Sequence, residues 1–435
     1  MEHMIPAWML IPFVAQLLCI AILPLTRLNE WWESNLNKLF ISLVLGLPVG
    51  VWLFLNGMFS DLEHQMIYDY VPFILLLMAL FTVTGGICIK GDLKPTPITN
   101  TIIIAIGWLL ASFVGTTGAA MLLIRLLLQT VGRRKYKVHT VMFFIAIAAN
   151  CGGLLTPLGD PPLFLLFQKG APFEWFMSLL PEWGITGGLL LGIYFIMDTY
   201  YYSKEKQDTP LYTPSQTKIT VTGLINIVWL AGIILSTMFV NSKYIPRMGE
   251  PDAPFYLKLL REWIFVLIIA LSMLTTKRTV RRDNKFSWTP ILEVTCVFLG
   301  IFATMTPALM FLKQHPLPIH EPWQFVYTTG ALSAFLDNAP TAMVFHTTAG
   351  TLDVSLAALE KGYAIAGISE QILKAICMGA VFFGSLTYIG NGPNFMVKSI
   401  AEESGVRMPS FFGYMFRFSL IILLPVYILV QVICI

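Results

Sequence analysis

The sequence is poor in charge. Asp, Glu, Lys and Arg make up 12% of its 435 residues, and 56% of the residues are apolar; soluble domains carry about 25% charged residues. Too few polar side chains remain to cover a water-facing surface, which excludes an ordinary soluble enzyme, a disordered chain and a nucleic-acid binder. Cysteine is scarce as well. Cys19, Cys88, Cys151, Cys296, Cys377 and Cys434 lie in apolar stretches, with no C-x-x-C spacing and no clustered histidine. They read as small core residues rather than metal ligands or disulfide partners. The N-terminus lacks the basic region and small-residue cleavage site of a signal peptide, so its apolar run reads as a retained first span.

What the sequence does have is a series of long apolar runs. A helix crossing the hydrocarbon core takes about 20 residues. Runs at 5–26, 39–57, 70–90, 137–169, 178–200, 219–240, 259–275, 288–312, 370–402 and 413–435 predict ten crossings. Two more, 98–131 and 320–350, are interrupted by Gly115-Thr116-Thr117-Gly118 and by Asp337-Asn338-Ala339-Pro340. Each of their arms is about 15 residues, too short to span. A short arm, a polar break and a further short arm predict a re-entrant hairpin that enters and leaves on one side.

Charge bias agrees with that arrangement. With the hairpins not crossing, the loops on one side hold eighteen Lys and Arg, among them Lys38, Arg133, Arg134, Lys206, Lys218 and Arg281; the other side holds six, including Lys361. The positive-inside rule then places both termini outside.

The two interrupted regions belong to a duplication. Gly115-Thr116-Thr117-Gly118-Ala119-Ala120-Met121 aligns with Asp337-Asn338-Ala339-Pro340-Thr341-Ala342-Met343. Further on, Leu155-Thr156-Pro157-Leu158-Gly159-Asp160-Pro161-Pro162 aligns with Leu386-Thr387-Tyr388-Ile389-Gly390-Asn391-Gly392-Pro393. Each half has five crossings, an odd number, so the second half must be inverted. The expected fold is an all-α polytopic membrane protein of about ten transmembrane helices in two inverted five-crossing repeats. The first occupies 1–200 (hairpin 98–131, broken helix 137–169), a cytoplasmic linker 201–218, and the second 219–435 (hairpin 320–350, broken helix 370–402). Paired broken helices in an inverted repeat are the signature of a secondary transporter with its site at mid-membrane. Freed carbonyls at a helix break must be satisfied by protein, water or an ion.

Ionisable residues in apolar territory are few. Asp160 and Asp337 each lie in a break motif, and a carboxylate within the membrane is a functional candidate, although each also suits a half-helix cap. Thr116, Thr117, Thr156, Asn338, Thr341, Thr387, Asn391 and Asn394 could complete cation shells, with Gly159 supplying backbone; Thr and Asn equally bridge membrane helices. Asn150 is a weaker candidate. Glu293 reads as a proton relay or as reaching the interface near Arg281 and Arg282. Na⁺ is expected at Asp337, Asn338 and Asp160, with no other cofactor than Na⁺ or H⁺ as coupling ions.

Gly153-Leu154-Leu155-Thr156-Pro157-Leu158-Gly159-Asp160-Pro161-Pro162 and Leu336-Asp337-Asn338-Ala339-Pro340-Thr341-Ala342 resemble the broken-helix and hairpin-tip motifs of the ion transporter superfamily. That superfamily holds sodium/dicarboxylate symporters, sodium/proton antiporters, arsenite permeases and citrate transporters. The resemblance implies an elevator mechanism, a homodimer in the bacterial inner membrane, and a small cation or organic anion as partner, with no enzymatic activity. The dicarboxylate branch has Ser-Asn-Thr at both hairpin tips. The tips here are Gly115-Thr116-Thr117 and Asp337-Asn338-Ala339; the Asp-Asn-x-Pro tip is more similar to the sodium/proton antiporter, arsenite permease and melanosomal P-protein side, while overall length and loop pattern resemble bacterial citrate transporters. The leading expectation is therefore exchange of Na⁺ for H⁺. The alternative is Na⁺- or H⁺-coupled uptake of citrate or a dicarboxylate, with arsenite permeation behind it. A remote rival is an intramembrane aspartyl protease using Asp69 and Asp160, suggested by Tyr68-Asp69, Leu158-Gly159-Asp160 and Pro307-Ala308-Leu309.

Overall fold

The computed structural model describes residues 4–91, 93–205, 219–352 and 364–435. Most of the linker expected at 201–218 and the cations Lys206, Lys218 and Lys361 lie outside the described residues. The chain is mostly helical. Its main helices are α1 (Ile11–Ile22), α2 (Asn35–Leu55), α3 (Phe59–Thr84), α4 (Pro97–Val114), α5 (Thr116–Val131), α6 (Val138–Ile147), α7 (Pro161–Gln168) and α8 (Leu180–Glu205), followed by α9 (Ile225–Phe239), α10 (Leu260–Thr275), α11 (Thr289–Gln314), α12 (Pro322–Ser333), α13 (Asn338–Ala349), α14 (Glu370–Phe383), α15 (Gly392–Glu403) and α16 (Leu424–Cys434). A short two-stranded ribbon pairs Cys88–Lys90 with Thr220–Thr222.

Among the described residues, seven helices are long and apolar enough to cross a membrane: Asn35–Leu55, Phe59–Thr84, Pro97–Val114, Val138–Leu155, Phe173–Glu205, Thr289–Gln314 and Phe411–Cys434. That set differs from the ten expected crossings. The runs at 5–26, 219–240, 259–275 and 370–402 yield shorter regular helices, and one of the seven long ones, Pro97–Val114, is an arm of the first expected hairpin. The first arm of the first hairpin, by contrast, is longer than the expected 15 residues. Thr96 caps it by accepting from Thr99 N, Pro97 starts it, and nothing breaks it before Gly115, which gives 18 residues.

The chain nevertheless turns back at Gly115, whose φ of +79° is open to glycine and costly for other residues. α4 and α5 pack along each other. Asn100, near the start of α4, and Arg134, just beyond α5, both bond to Asp198, so the hairpin starts and finishes at one end. The second hairpin behaves alike. Glu321 and Gln324 form a capping box at the start of α12, Asp337 caps α13, and Phe325 meets Phe345 edge-on near the open end.

Helices α1, α2, α3, α9, α10 and α11 pack mainly with one another, with Phe73, Phe298 and Phe302 clustered between α3 and α11. The hairpins, the broken spans, α8 and α16 form a second group, and α13 and α5 lean on α11 and α3. Large apolar side chains face outward on the outer helices, among them α1, α2, α4, α8, α9, α10 and α16. On α4 the exposed residues Ile98, Ile102, Ile106, Leu109 and Phe113 recur at helical spacing, a stripe suited to lipid.

Not every basic residue of the charge count sits in a loop. Lys38 is 4% exposed and paired with Glu293 at 2.6 Å; Arg134 and Arg281 are also buried. Glu293 therefore meets neither Arg281 nor Arg282. Arg281 instead donates to the Thr82 and Ser272 carbonyls.

Candidate functional site

Two apolar helices, α6 and α14, stop inside the protein and give way to the same local structure. A short 3-10 turn, Cys151–Leu155 or Gly384–Leu386, leads to an extended threonine, Thr156 or Thr387. Four residues later another extended residue, Asp160 (φ −147°, ψ 144°) or Asn391 (φ −150°, ψ 137°), precedes a Pro-containing helix start. Pro at the first positions of α7 and α15 has no N–H to lose there. The threonine hydroxyls within the breaks are bonded. Thr156 donates to the Ser112 carbonyl and Thr387 to that of Ala334, and each hydroxyl accepts from the amide two residues on, Leu158 or Ile389. Ser112 donates to the Gly152 carbonyl and Ser333 to that of Ala380, fastening each hairpin arm to its broken span.

Gly159 has no room for a side chain: a Cβ there would lie 2.0 Å from the Gly153 carbonyl oxygen. That closeness folds the first break tightly on itself, and at the first hairpin tip Thr116 N donates to Gly159 O at 2.8 Å.

Asp160 is the focus. It is 2% exposed, and three neutral donors reach its carboxylate. Thr116 Oγ1 donates to Oδ1 at 2.7 Å, Asn391 Nδ2 donates to Oδ1 at 3.1 Å, and Asn338 Nδ2 donates to Oδ2. Both hairpin tips and the second break thus meet on one carboxylate. Buried Asn338 keeps its own Oδ1 without a partner. An unpartnered buried carbonyl beside a carboxylate is a ready cation ligand, since hard cations take oxygen.

Behind Asp160 runs a chain of amides. Asn391 also donates to Asn150 Oδ1 at 3.1 Å, Asn150 Nδ2 donates to Asn394 Oδ1 at 2.6 Å, and Asn394 Nδ2 donates to the Gly384 and Thr387 carbonyls. Asn150 is therefore central. The sequence ranked it low because an asparagine at a helix end resembles any cap.

The other expected residues fall in different places. Asp337 is half-buried and accepts from Ala339 N at 3.0 Å as the α13 cap, and no bond joins it to Asp160. Thr341 donates to the Asp337 carbonyl within its own helix. Thr117 lines a cavity of about 70 Å³ with Gly115, Thr116 and Gly159 against Leu80, Pro290 and Val294. Glu293, held by Lys38, has no bond into this network. Asp69 pairs with Lys169 at 2.6 Å, at the far end of α7 from Asp160. Eight residues of helix separate those ends, about 12 Å, so the two aspartates do not form a protease dyad. Among the described residues no group of three or more His, Cys, Asp or Glu is placed to hold a metal.

A second buried polar cluster was not anticipated. Asp198 of α8 accepts from Arg134 and Asn100, lies 2.8 Å from His139 Nε2 and 3.3 Å from the Tyr194 hydroxyl, while Glu205 takes Arg134 Nε and Tyr136 N. Its partners are far apart in sequence, so no motif announces it.

The class follows from these features: a helical, membrane-type protein in which four helix N-termini, those of α5, α7, α13 and α15, converge on one buried carboxylate. The chain matches the family described as "Putative citrate transport" over residues 2–435, and it belongs to that family. A comparison with curated proteins returns no match.

Proposed function

We propose that this protein is a secondary transporter that moves citrate with a coupling cation, Na⁺ or H⁺, engaged at Asp160. The observation that carries the reading is the convergence of both hairpin tips and both helix breaks on that carboxylate. Four helix N-termini contribute roughly +2 of partial charge, which favours an anion. Asp160 and Asp337 offset about the same amount, so an anionic carboxylate has to bring positive charge with it. Asp160 and the open Asn338 carbonyl suit the cation. The start of α5, with Thr117 at the small cavity, suits one carboxylate arm.

The family match favours citrate over the Na⁺-for-H⁺ exchange expected from the tip motif. The rest of the reading is an elevator: α1–α3 and α9–α11 as a static frame, and the hairpins, broken spans, α8 and α16 as the moving unit. It is built from two inverted repeats, works as a homodimer in a bacterial inner membrane, and has both termini outside. The matching hydrogen bonds at the two breaks support the repeat.

The test reconstitutes the protein in liposomes and follows labelled citrate under imposed Na⁺ or proton gradients. Uptake that needs one of the gradients, and that Asp160→Asn abolishes, is the expected result. Sodium movement of equal rate with and without citrate would return the protein to cation exchange.

A further inference from the structure

The two breaks share a backbone and differ in charge: Asp160 in one, Asn391 in the other. The orientation of the Asn391 amide is fixed from behind. Asn394 Nδ2 faces two backbone carbonyls, so its Oδ1 faces Asn150; Asn150 Nδ2 faces that oxygen and the Ile145 carbonyl, so its own Oδ1 faces Asn391. The Asn391 nitrogen is then left among three oxygens: Asp160 Oδ1 at 3.1 Å, Asn150 Oδ1 at 3.1 Å and Ala149 O at 3.4 Å. A flipped amide would put oxygen against oxygen. Three converging hard oxygens are the ligand type a hard cation such as Na⁺ takes, and form part of its shell. A carboxylate in place of the amide would face Asp160, and like charges so close need a cation between them.

We propose that Asn391 restricts the site to one coupling cation, because its amide nitrogen fills the seat that a second Na⁺ would occupy beside Asp160. The word coupling rests on the transporter reading above; the seat itself does not depend on the substrate.

The thermal midpoint of purified wild type, Asn391→Asp, Asn391→Ala and Asn391→Leu is measured over a Na⁺ titration, with choline holding the ionic strength constant. Asn391→Asp is expected to gain one additional Na⁺-binding step, a steeper rise of midpoint with log Na⁺ than wild type. Asn391→Ala, which empties the seat and keeps its three oxygens, is expected to gain the same step and decides the matter if the aspartate variant does not fold. Asn391→Leu fills the seat with an apolar group and is expected to lose stability with no added Na⁺ response. Alanine and aspartate slopes equal to wild type would overturn the proposal, as would a leucine slope as steep as theirs. In liposomes, Asn391→Asp is expected to carry one more positive charge per citrate. Absence of citrate movement in wild type would sink the transporter reading, while the Na⁺ titration still judges the seat.

Discussion

Both hairpin arms are fastened to their own broken spans, but the tips differ: the first tip bonds to its own break, and the second reaches the break of the other half. Thr116 grips the first break twice, through its amide to Gly159 O and its hydroxyl to Asp160. Asn338, at the matching place on the second tip, reaches across to Asp160 instead of holding Asn391. The difference follows the charge. A buried carboxylate needs several donors to offset its lost hydration, so it collects them from both halves, and the half with the neutral amide becomes the lender. Near-equal backbones can therefore divide the labour through one Asp-to-Asn difference.

The sharpest way to break this comparison is to neutralise each carboxylate in turn. Asp160→Asn should lower citrate uptake by at least about 100-fold, equivalent to about 2.7 kcal/mol. Asp337→Asn, in which asparagine caps as well as aspartate, should cost less than about 10-fold. Initial uptake rates in liposomes decide, and a larger loss at Asp337 would move the centre to the second tip.

Backbone closeness gives the next effect. A Cβ at Gly159 would sit 2.0 Å from Gly153 O, and one at Gly390 would sit 2.6 Å from Gly384 O. Gly159→Ala should therefore lower the thermal midpoint more than Gly390→Ala, with overpacking costs of about 3 kcal/mol or more against about 1–3 kcal/mol.

Where the halves agree, paired substitutions should agree. Ser112→Ala and Ser333→Ala each remove one buried hydrogen bond to a carbonyl of the adjoining broken span, so each should cost about 1 kcal/mol. Midpoints that fall unequally by several degrees would show that the two fastenings are not equivalent.

The smallest effect lies outside the membrane part. The Lys90 ammonium, 2.8 Å from Asp283, holds that carboxyl below its ordinary range. A depressed carboxyl contributes stability above its unfolded value and loses it as pH falls through the folded one. Asp283→Asn should thus flatten the acid limb of a midpoint-against-pH curve slightly and leave citrate uptake unchanged.

The breaks were legible in the sequence because each needs residues of unusual kind: Gly159 and Gly390 at close approaches, prolines at helix starts, a polar side chain amid apolar ones. The hairpin tips were legible for the same reason, and Asp160 stood out for its charge. Partnerships were not. Asn150 and Asn391 are 241 residues apart, Lys38 and Glu293 far apart as well, and Arg134 finds Asp198 across 64. Such pairs leave no local pattern. Helix length also escaped, since α4 has 18 residues where the interrupted apolar run gave arms of about 15.

α8 has 26 residues, which makes it about 39 Å long. At one end Asp198 and Glu205 clamp the base of the first hairpin. At the other, Glu182 lies 3.9 Å from Lys374 of α14, and Trp175, just before the helix, donates to Glu370 at the head of that second broken span. The helix is thus a tie rod between the two outer ends of the site's machinery. With the two outer ends held at fixed separation, compliance is left to the middle, where the tips meet; inserting one residue into α8 would push the ends apart by about 1.5 Å and rotate one against the other by about 100°, detuning both tips at once without touching either.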